Sequence, residues 1–137
     1  LYGAGDPHNG YGPNRFRRLS NTGQTITLFG EGEERRDHIH IDDVGTLISR
    51  IIRQKSTGVL NITTGEVASF KEIAEKANAL AGGKSSIEGS PRVGDMPHNG
   101  YRPFDASATY AAFPDFKYLS IDEGLAKAQT EADAEGN

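Results

Sequence analysis

The sequence has 137 residues, which is enough for one domain with a modest hydrophobic core. Only 35% of the residues are hydrophobic, the mean hydropathy is −0.57, and no apolar run approaches the length of a membrane-spanning helix. The net charge of −4 gives no support to nucleic-acid binding, and the absence of cysteine excludes disulfides and thiolate metal sites, which is compatible with the cytoplasm.

The first forty residues predict a loop, a helix and two strands. The chain begins with Leu1 rather than Met, which we interpret as a fragment or a processed product. Residues 1–13 are rich in Gly, Pro, Asn and Asp and read as a loop, and residues 14–21 can form two helical turns. Apolar residues alternate with polar ones at 25–29 and again at 37–41, which predicts two short strands around a glycine-containing turn.

A helix and a further strand follow. Asp42 or Asp43 is suited to cap a helix, because a short carboxylate accepts the free backbone N–H groups of the first turn. The apolar residues that follow have helical spacing over residues 44–53. Residues 59–63 are apolar and β-rich and lie between two helices, which indicates a strand of a parallel sheet.

Two capping boxes organise the second half. Ser69 with Glu72, and Ser120 with Glu123, each predict the start of a helix. Between these helices the sequence predicts a short strand around Ile87, a loop over residues 90–104 and a short helix that begins near residue 105. After residue 128 the chain is polar and acidic, and we expect it to fray.

The central turn carries a family resemblance. Gly30-x-Gly32 followed by Arg36-Asp37-x-Ile39-His40-Ile41-x-Asp43-Val44 resembles a signature of the extended short-chain dehydrogenase/reductase family, the NAD-dependent nucleotide-sugar epimerases and dehydratases. The resemblance extends from about residue 2 to residue 125. It implies an α/β fold, the C-terminal part of an extended Rossmann-type short-chain dehydrogenase, with a small mixed sheet and flanking helices. Residues 1–128 would be the substrate-binding portion and residues 129–137 an acidic, disordered tail.

Two arginines are the main candidates for substrate binding. A guanidinium group offers two phosphate oxygens a planar fork of donors. In the family the arginine before the aspartate, here Arg36, grips the ligand's diphosphate. Arg92 lies in a sequence similar to the family's Arg-x-Gly-Asp loop, which ends here at Asp95, and the resemblance gives it the same ligand. From the residues alone, Arg36 could equally form a surface salt bridge with Glu33 or Glu34.

The resemblance suggests further ligand contacts. Thr27 and Phe29 fall where the family places residues around the nucleotide base, although Phe29 could equally be a core aromatic residue. Asn14 and Arg15 follow a proline where the family often has a substrate-contacting run. Tyr101 is a candidate for stacking or for a ribose contact. The motif Pro-His-Asn-Gly-Tyr-x-Pro occurs at residues 7–13 and 97–103, either by chance reuse of turn residues or because two loops reach the same pocket.

The sequence predicts no metal site. His38, His40 and Asp42 alternate along one predicted strand and could face one side. A metal site needs three or four converging ligands and a second shell of hydrogen bonds, and the family often carries a histidine at the position of His40 without a metal. We therefore assign no metal ligand.

The sequence contains neither the dinucleotide fingerprint nor the proton-transfer pair of the family. No G-x-G-x-x-G opens a helix after a strand, and no tyrosine is followed four residues later by lysine, so we assign no catalytic residue.

The resemblance implies NAD as cofactor, bound mainly by an N-terminal domain outside these residues. The expected partner is a nucleotide-diphosphate sugar, with no nucleic acid or membrane and with a homodimer as the expected assembly. The alternatives are a non-catalytic nucleotide- or anion-binding module and a structural domain that serves association.

Overall fold

Short strands alternate with helices along the chain. The structure is a computed structural model that describes residues 1–135, with side chains for residues 1–134. A 3-10 turn at Pro97–Gly100 precedes the last strand. The elements in chain order are α1 Pro13–Asn21, β1 Ile26–Phe29, β2 Arg35–Arg36, α2 Ile41–Gln54, β3 Ala68–Ser69, α3 Phe70–Leu80, β4 Ile87–Ser90, β5 Tyr101–Arg102, α4 Ser107–Ala112 and α5 Ile121–Glu135.

Strands β1 and β4 form a parallel pair. Ile26 lies opposite Ile87, and Phe29 lies opposite Ser90. Along β1 the side chains alternate between buried and exposed, with Ile26 and Leu28 directed into the core. The pair confirms the strands that the sequence predicts at residues 25–29 and around Ile87.

A second sheet has three very short strands in the order β3-β2-β5. Arg35 in β2 lies opposite Ser69 in an antiparallel pairing and opposite Tyr101 in a parallel one. Each strand has only two residues, so the sheet contributes few backbone hydrogen bonds. Its main effect is positional, because it brings three distant segments of the chain side by side around β2.

The main core lies between β1 and three helices. Helix α3 contacts both α1 and α5, α1 and α3 also contact β1, and all three helices contribute apolar side chains to the same core. A smaller cluster joins α2 to the segment after α4 through Leu47, Phe113 and Phe116. The buried members of the main core are Tyr2, Phe16, Ile26, Leu28, Phe70, Ile73, Ala74, Ala77 and Leu125.

The predicted capping boxes are confirmed at both helices. The backbone N–H of Glu72 donates to Ser69 Oγ (3.1 Å), and the Glu72 carboxylate accepts from the backbone N–H of Ser69 (2.7 Å). Ser120 and Glu123 make the same pair of bonds, at 3.2 and 2.8 Å. Each box satisfies backbone N–H groups that a helix start otherwise leaves without partners.

The N-cap predicted for α2 is wrong by two or three residues. The capping residue is His40, whose Nδ1 accepts the backbone N–H of Asp42 at 3.3 Å. Asp43 is instead buried inside the helix, where its carboxylate accepts the backbone N–H of Leu119 at 3.0 Å. The predicted strand at 37–41 is reduced to an isolated bridge between His40 and Tyr2.

The predicted strand at residues 59–63 is also not formed. These residues belong to no strand of the described chain, and Val59 is 91% exposed. The polar groups of this segment bond to the region of α4 instead: Thr109 Oγ1 donates to the Asn61 carbonyl (2.6 Å), and Asn61 Nδ2 donates to the Asp105 carbonyl (3.0 Å). A strand needs a neighbouring strand, and no strand of residues 1–135 lies beside this segment.

The predicted fraying after residue 128 is not observed as far as residue 135. Helix α5 continues to Glu135. Ala132, in the last part of the helix, is fully buried, so this part of the helix still packs against the protein. Residues 136 and 137, the end of the predicted tail, lie outside the described residues. No helix in the described part of the chain is long and apolar enough to cross a membrane.

One carboxylate anchors the segment that follows residue 62. Asp37 accepts three hydrogen bonds: from Thr63 Oγ1 (2.6 Å), from the backbone N–H of Thr64 (3.2 Å) and from the backbone N–H of Gly65 (2.7 Å). Asp37 directly follows β2, so these bonds fix the loop at residues 63–65 against the centre of the second sheet.

We expect the Asp37→Asn variant to lower the free energy of unfolding by about 1–3 kcal/mol, because an amide NH₂ would replace one acceptor in a set of three donors. Urea denaturation of the purified chain measures the change. Asp115→Asn is the matched control, since Asp115 is 74% exposed and bonds only to Arg50 Nη1 (2.9 Å) among the described residues. The control should cost less than about 1 kcal/mol. Equal losses in the two variants would contradict an anchoring role for Asp37.

Candidate anion-binding site

A tight turn at residues 30–32 connects β1 to β2 and precedes the charged residues of the candidate site. Gly30 and Gly32 both have positive φ, at 59° and 74°. At Gly32 an added Cβ would lie 2.9 Å from the backbone nitrogen of Lys71, which leaves no room for a side chain. The backbone N–H of Lys71 donates to the Gly32 carbonyl (2.9 Å), and that of Phe70 donates to the Glu34 carbonyl (3.1 Å). The turn is therefore held against the start of α3, and it delivers residues 33–36 in a fixed position.

The two candidate arginines meet at one carboxylate. Arg36 Nη2 lies 3.3 Å from Glu34 Oε1, and Arg92 Nη1 lies 3.4 Å from Glu34 Oε2. The side chain of Glu34 is only 6% exposed. Residues 36 and 92 are 56 positions apart in sequence, and the fold places their charged groups on the two oxygens of the same buried acid. We refer to Arg36 and Arg92 as the arginine pair.

Arg92 has further partners. Its Nη2 donates to the carbonyl of Phe29 at the end of β1 (3.2 Å) and lies 3.5 Å from Oε1 of Glu33. Its Nε is shielded from solvent and has no hydrogen-bond partner among the described residues. The Arg92 side chain is 18% exposed, so its charge lies at the edge of the protein interior.

Arg36 is the more accessible member of the pair. Its side chain is 30% exposed, and its guanidinium carbon lies 5.8 Å from the centre of the Phe70 ring. This cation–π contact holds the guanidinium group against a ring of the core, and part of the side chain remains in solvent.

An aromatic group lies beside the arginine pair. The rings of Tyr11 and Phe29 are stacked at 4.5 Å, and Tyr11 also contacts Phe70 at 4.6 Å. Tyr11 Oη accepts the backbone N–H of Phe29 (3.1 Å), and burial raises the pKa of the Tyr11 hydroxyl. Phe29 is 53% exposed, so it is a surface ring with one covered face rather than a core residue.

The other predicted residues divide into two groups. Thr27 is exposed on the same side of β1 as Phe29, and Tyr101 is 55% exposed on β5 beside β2, so both lie on strands next to the arginine pair. Asn14 is buried, and its Oδ1 accepts the backbone N–H of Gly3 (3.1 Å). Arg15 and Asp95 are exposed. Within the described residues, no hydrogen bond or ion pair joins the side chain of residue 14, 15 or 95 to the arginine pair.

Sequence reasoning missed two members of the site. The sequence indicates Glu34 only as an alternative surface partner of Arg36, whereas its burial makes it the centre of the site. Tyr11 belongs to the first copy of the repeated Pro-His-Asn-Gly-Tyr motif, and its counterpart in the second copy is Tyr101. Tyr11 stacks on the last residue of β1 and Tyr101 pairs with β2, so the two copies reach strands of two different sheets through different contacts. The motif was thus the available signal for Tyr11.

The three residues considered as metal ligands do not converge. Nδ1 of His40 accepts a backbone N–H at the start of α2, and its ring packs edge-on against Tyr2. His38 instead lines a cavity of about 320 Å³, together with Tyr110, Tyr118 and neighbouring residues. Within the described residues, no group of three or more His, Cys, Asp or Glu side chains has the geometry to hold a metal ion.

Comparison with known proteins gives a consistent group of relatives. Residues 1–63 match the model of the NAD dependent epimerase/dehydratase family. A dTDP-4-dehydro-6-deoxy-D-allose reductase from Streptomyces bikiniensis is 28% identical over 97 residues, which cover 66% of this chain and 29% of that protein. The chain therefore spans less than a third of the length of this curated relative.

Solved structures resemble nearly the whole chain. UDP-glucose 4-epimerase from Thermotoga maritima, determined with UDP-glucose, superposes with a TM-score of 0.80 at 21% identity, over 98% of this chain and 43% of that one. A dTDP-glucose 4,6-dehydratase from Bacillus anthracis in complex with NAD gives 0.79 at 19% identity, over 97% and 42%. At this identity the likeness concerns the fold, and it confirms the predicted α/β class with small sheets and flanking helices.

The free energy of unfolding below pH 6.5 should depend on the protonation of His38. Burial lowers the pKa of its imidazole from 6.5 to about 4, and Nε2 has no hydrogen-bond partner in the described chain. Below pH 6.5 the unfolded chain binds a proton that the folded chain does not, so the free energy of unfolding falls by up to about 1.4 kcal/mol per pH unit down to pH 4. His38→Gln should flatten this part of the profile, and replacement of the exposed His8 by Gln should not. Urea denaturation midpoints measured between pH 4 and 7.5 test this expectation. If the midpoint of His38→Gln changes with pH as steeply as that of the wild type, His38 is not the group responsible.

Proposed function

We propose that this chain is the substrate-binding portion of an enzyme of the NAD-dependent epimerase/dehydratase family, whose model its residues 1–63 match. In this proposal its residues hold the diphosphate of a nucleotide sugar. The observation that carries the proposal is the meeting of Arg36 and Arg92, from two separate segments, at the carboxylate of Glu34. The two guanidinium groups are thereby close enough to bind neighbouring phosphates of one ligand.

The chemistry of the arginine pair suits a diphosphate. Each guanidinium group is charged at every physiological pH and donates in a planar fork that matches phosphate oxygens. The two side chains are 30% and 18% exposed, so their attraction for an anion is screened less than that of fully exposed arginines. Binding energy gained at the diphosphate, remote from the reacting sugar, would position the sugar for the chemical step.

The residues beside the arginine pair suit the other parts of the ligand. Phe29 presents an exposed aromatic ring whose other face is covered by Tyr11, so a nucleotide base can stack on it. Thr27 lies on the same face of β1, and the ring of Tyr101 is available for stacking or for a ribose contact. We retain Asn14, Arg15 and Asp95 as proposed substrate contacts on the family resemblance alone.

The cofactor of the family does not fit the residues described here. The glycine-containing turn at residues 30–32 connects β1 to strand β2 rather than to a helix N-terminus, so it does not form the phosphate cradle of a dinucleotide site. We propose that NAD is held mainly by a part of the enzyme outside this chain, and we assign no catalytic step to these residues. In this proposal residues 1–128 contribute to substrate binding, in an enzyme of the cytoplasm.

The outer face of α2 is the proposed contact surface with the rest of the enzyme. Ile48 and Ile52 are 44% and 69% exposed on this helix, and Val59 in the segment that follows is 91% exposed. Ile48 and Ile52 lie one helical turn apart on the same side of α2, and exposed apolar side chains grouped in this way often mark an interface. For the chain by itself, the corresponding expectation is a homodimer through the same face.

Arg36→Ala and Arg92→Ala should each weaken nucleotide-sugar binding by about 1.5–3 kcal/mol in the full-length enzyme, because each removes charged hydrogen bonds to the diphosphate. The double variant should deviate from the sum of the two losses, since both arginines serve one ligand. Isothermal titration calorimetry with UDP- and dTDP-sugars measures the affinities. Arg35→Ala is the matched control, because this neighbouring arginine is exposed and donates to the Val67 carbonyl. Strictly additive losses, or an unchanged affinity in either single variant, would count against a shared diphosphate site.

The isolated chain of residues 1–137 should show no NAD-dependent turnover of nucleotide sugars, because it contains neither the dinucleotide fingerprint nor the Tyr-x-x-x-Lys pair. Absorbance at the NADH wavelength and chromatography of the sugar products measure turnover. Any epimerase, dehydratase or reductase activity from this chain would contradict the proposal that it binds substrate while NAD is bound elsewhere in the enzyme. If the full-length protein also lacks a glycine-rich βα turn and a Tyr-x-x-x-Lys pair, the non-catalytic binding module becomes the better assignment.

A further inference from the structure

We propose that the two consecutive glutamates at the arginine pair have opposite effects on ligand binding. Glu34 is a fixed counter-ion that positions both guanidinium groups, and Glu33 is an exchangeable counter-ion that occupies Arg92 until a ligand phosphate replaces it. The inference rests on the proposed function of the arginine pair and adds two residues to it, one that promotes binding and one that competes with it.

The burial and partners of Glu34 make it a positioning residue. Its side chain is 6% exposed and each of its carboxylate oxygens faces one arginine, at 3.3 and 3.4 Å. Two guanidinium groups repel each other, and one carboxylate between them offsets that repulsion and sets their separation. Withdrawing Glu34 would remove from each arginine the counter-ion that is most buried, which is more costly than losing a surface ion pair.

The backbone at Glu34 is also fixed. Its carbonyl accepts the backbone N–H of Phe70 (3.1 Å) at the first residue of α3, and the next residue, Arg35, pairs with Ser69 and with Tyr101 in the second sheet. The Glu34 carboxylate therefore has little freedom to follow a ligand or to leave the site.

Glu33 has the opposite character. Its side chain is 44% exposed, and its single contact with the arginine pair is the 3.5 Å approach of Oε1 to Arg92 Nη2. Its other carboxylate oxygen accepts the backbone N–H of Glu31 in the turn (2.8 Å), a bond that does not involve the arginines. A half-exposed ion pair of this kind contributes little free energy, so its exchange for a ligand anion is cheap.

The charge balance explains why the exchange matters. With both glutamates in place, two positive charges face two negative charges, and the cluster is neutral toward an approaching anion. If Glu33 moves into solvent, the cluster gains a net positive charge. One N–H of the Arg92 Nη2 group is then free to donate to the ligand, while the other remains on the Phe29 carbonyl.

Replacing each glutamate by glutamine should therefore change the affinity for a diphosphate in opposite directions. Glu34→Gln keeps the shape of the side chain but removes the charge that holds the arginines together, so affinity for a diphosphate should fall about tenfold or more. Glu33→Gln removes a competing charge, so affinity should rise by about two- to fivefold at low salt and by less at high salt. Glu31→Gln, in the same turn and exposed, is the matched control and should leave affinity unchanged.

The experiment is calorimetric titration of the full-length protein with inorganic pyrophosphate, which tests the arginine pair without a base or sugar, and with UDP-glucose. The same variants are examined without ligand by NMR of the arginine Nε–H groups. Glu34→Gln should shift or broaden the signals of both Arg36 and Arg92, and Glu33→Gln should affect Arg92 alone. In an Arg36→Ala background the loss caused by Glu34→Gln should be smaller than in the wild type, because a positioning residue acts through the arginines, whereas a general structural defect would persist.

The outcomes separate this inference from the proposed function. If Arg36→Ala and Arg92→Ala leave the affinity for both probes unchanged, the proposed function fails and this inference fails with it. If the arginine variants weaken binding but the two glutamate variants change affinity in the same direction, only this inference is overturned. Unchanged Arg36 and Arg92 Nε–H signals in Glu34→Gln would also overturn it, whether or not pyrophosphate binds.

Discussion

The constraint that organises this molecule is the charge of Glu34, a carboxylate almost completely removed from water. A buried carboxylate is tolerated only when cations and hydrogen-bond donors surround it, and here two arginines supply them, one on each oxygen. The requirement ties β2 to the loop after β4, although the two segments share no strand pairing. The same requirement keeps two guanidinium groups together at the surface, where an anionic ligand can reach them.

The rest of the fold supplies the support that this arrangement needs. The glycine turn is pressed against the start of α3, and a capping box fixes that start, so the position of β2 follows from the helix. Phe70, the first residue of α3, contributes to the core and also lies under the guanidinium group of Arg36. Packing, capping and the candidate site therefore share the same few residues, which is why a short two-residue strand can hold a binding group in place.

Much of the helical framework could be predicted from sequence because its determinants are local. A serine and a glutamate three residues apart define a capping box wherever the chain goes afterwards, and both boxes formed as predicted. The strand at 59–63 could not be predicted reliably, because a strand exists only if another strand lies beside it, and within residues 1–135 none does. The cap of α2 was misassigned for a related reason: aspartate is the better cap by propensity, but Asp43 is engaged by the backbone of Leu119, which is distant in sequence.

The sequence by itself determined the starts of α3 and α5 and the glycine turn. Through a motif resemblance it also indicated the α/β class and the two arginines as candidates for one ligand. Only the tertiary structure decided that these arginines share a carboxylate, that Tyr11 rather than the core covers Phe29, and that Glu34 is buried while Glu33 is not. The physical reason is that residue type and spacing encode local hydrogen bonding and periodicity. The burial of a charge, and the partners that compensate it, depend on which distant segments the fold brings within a few ångströms.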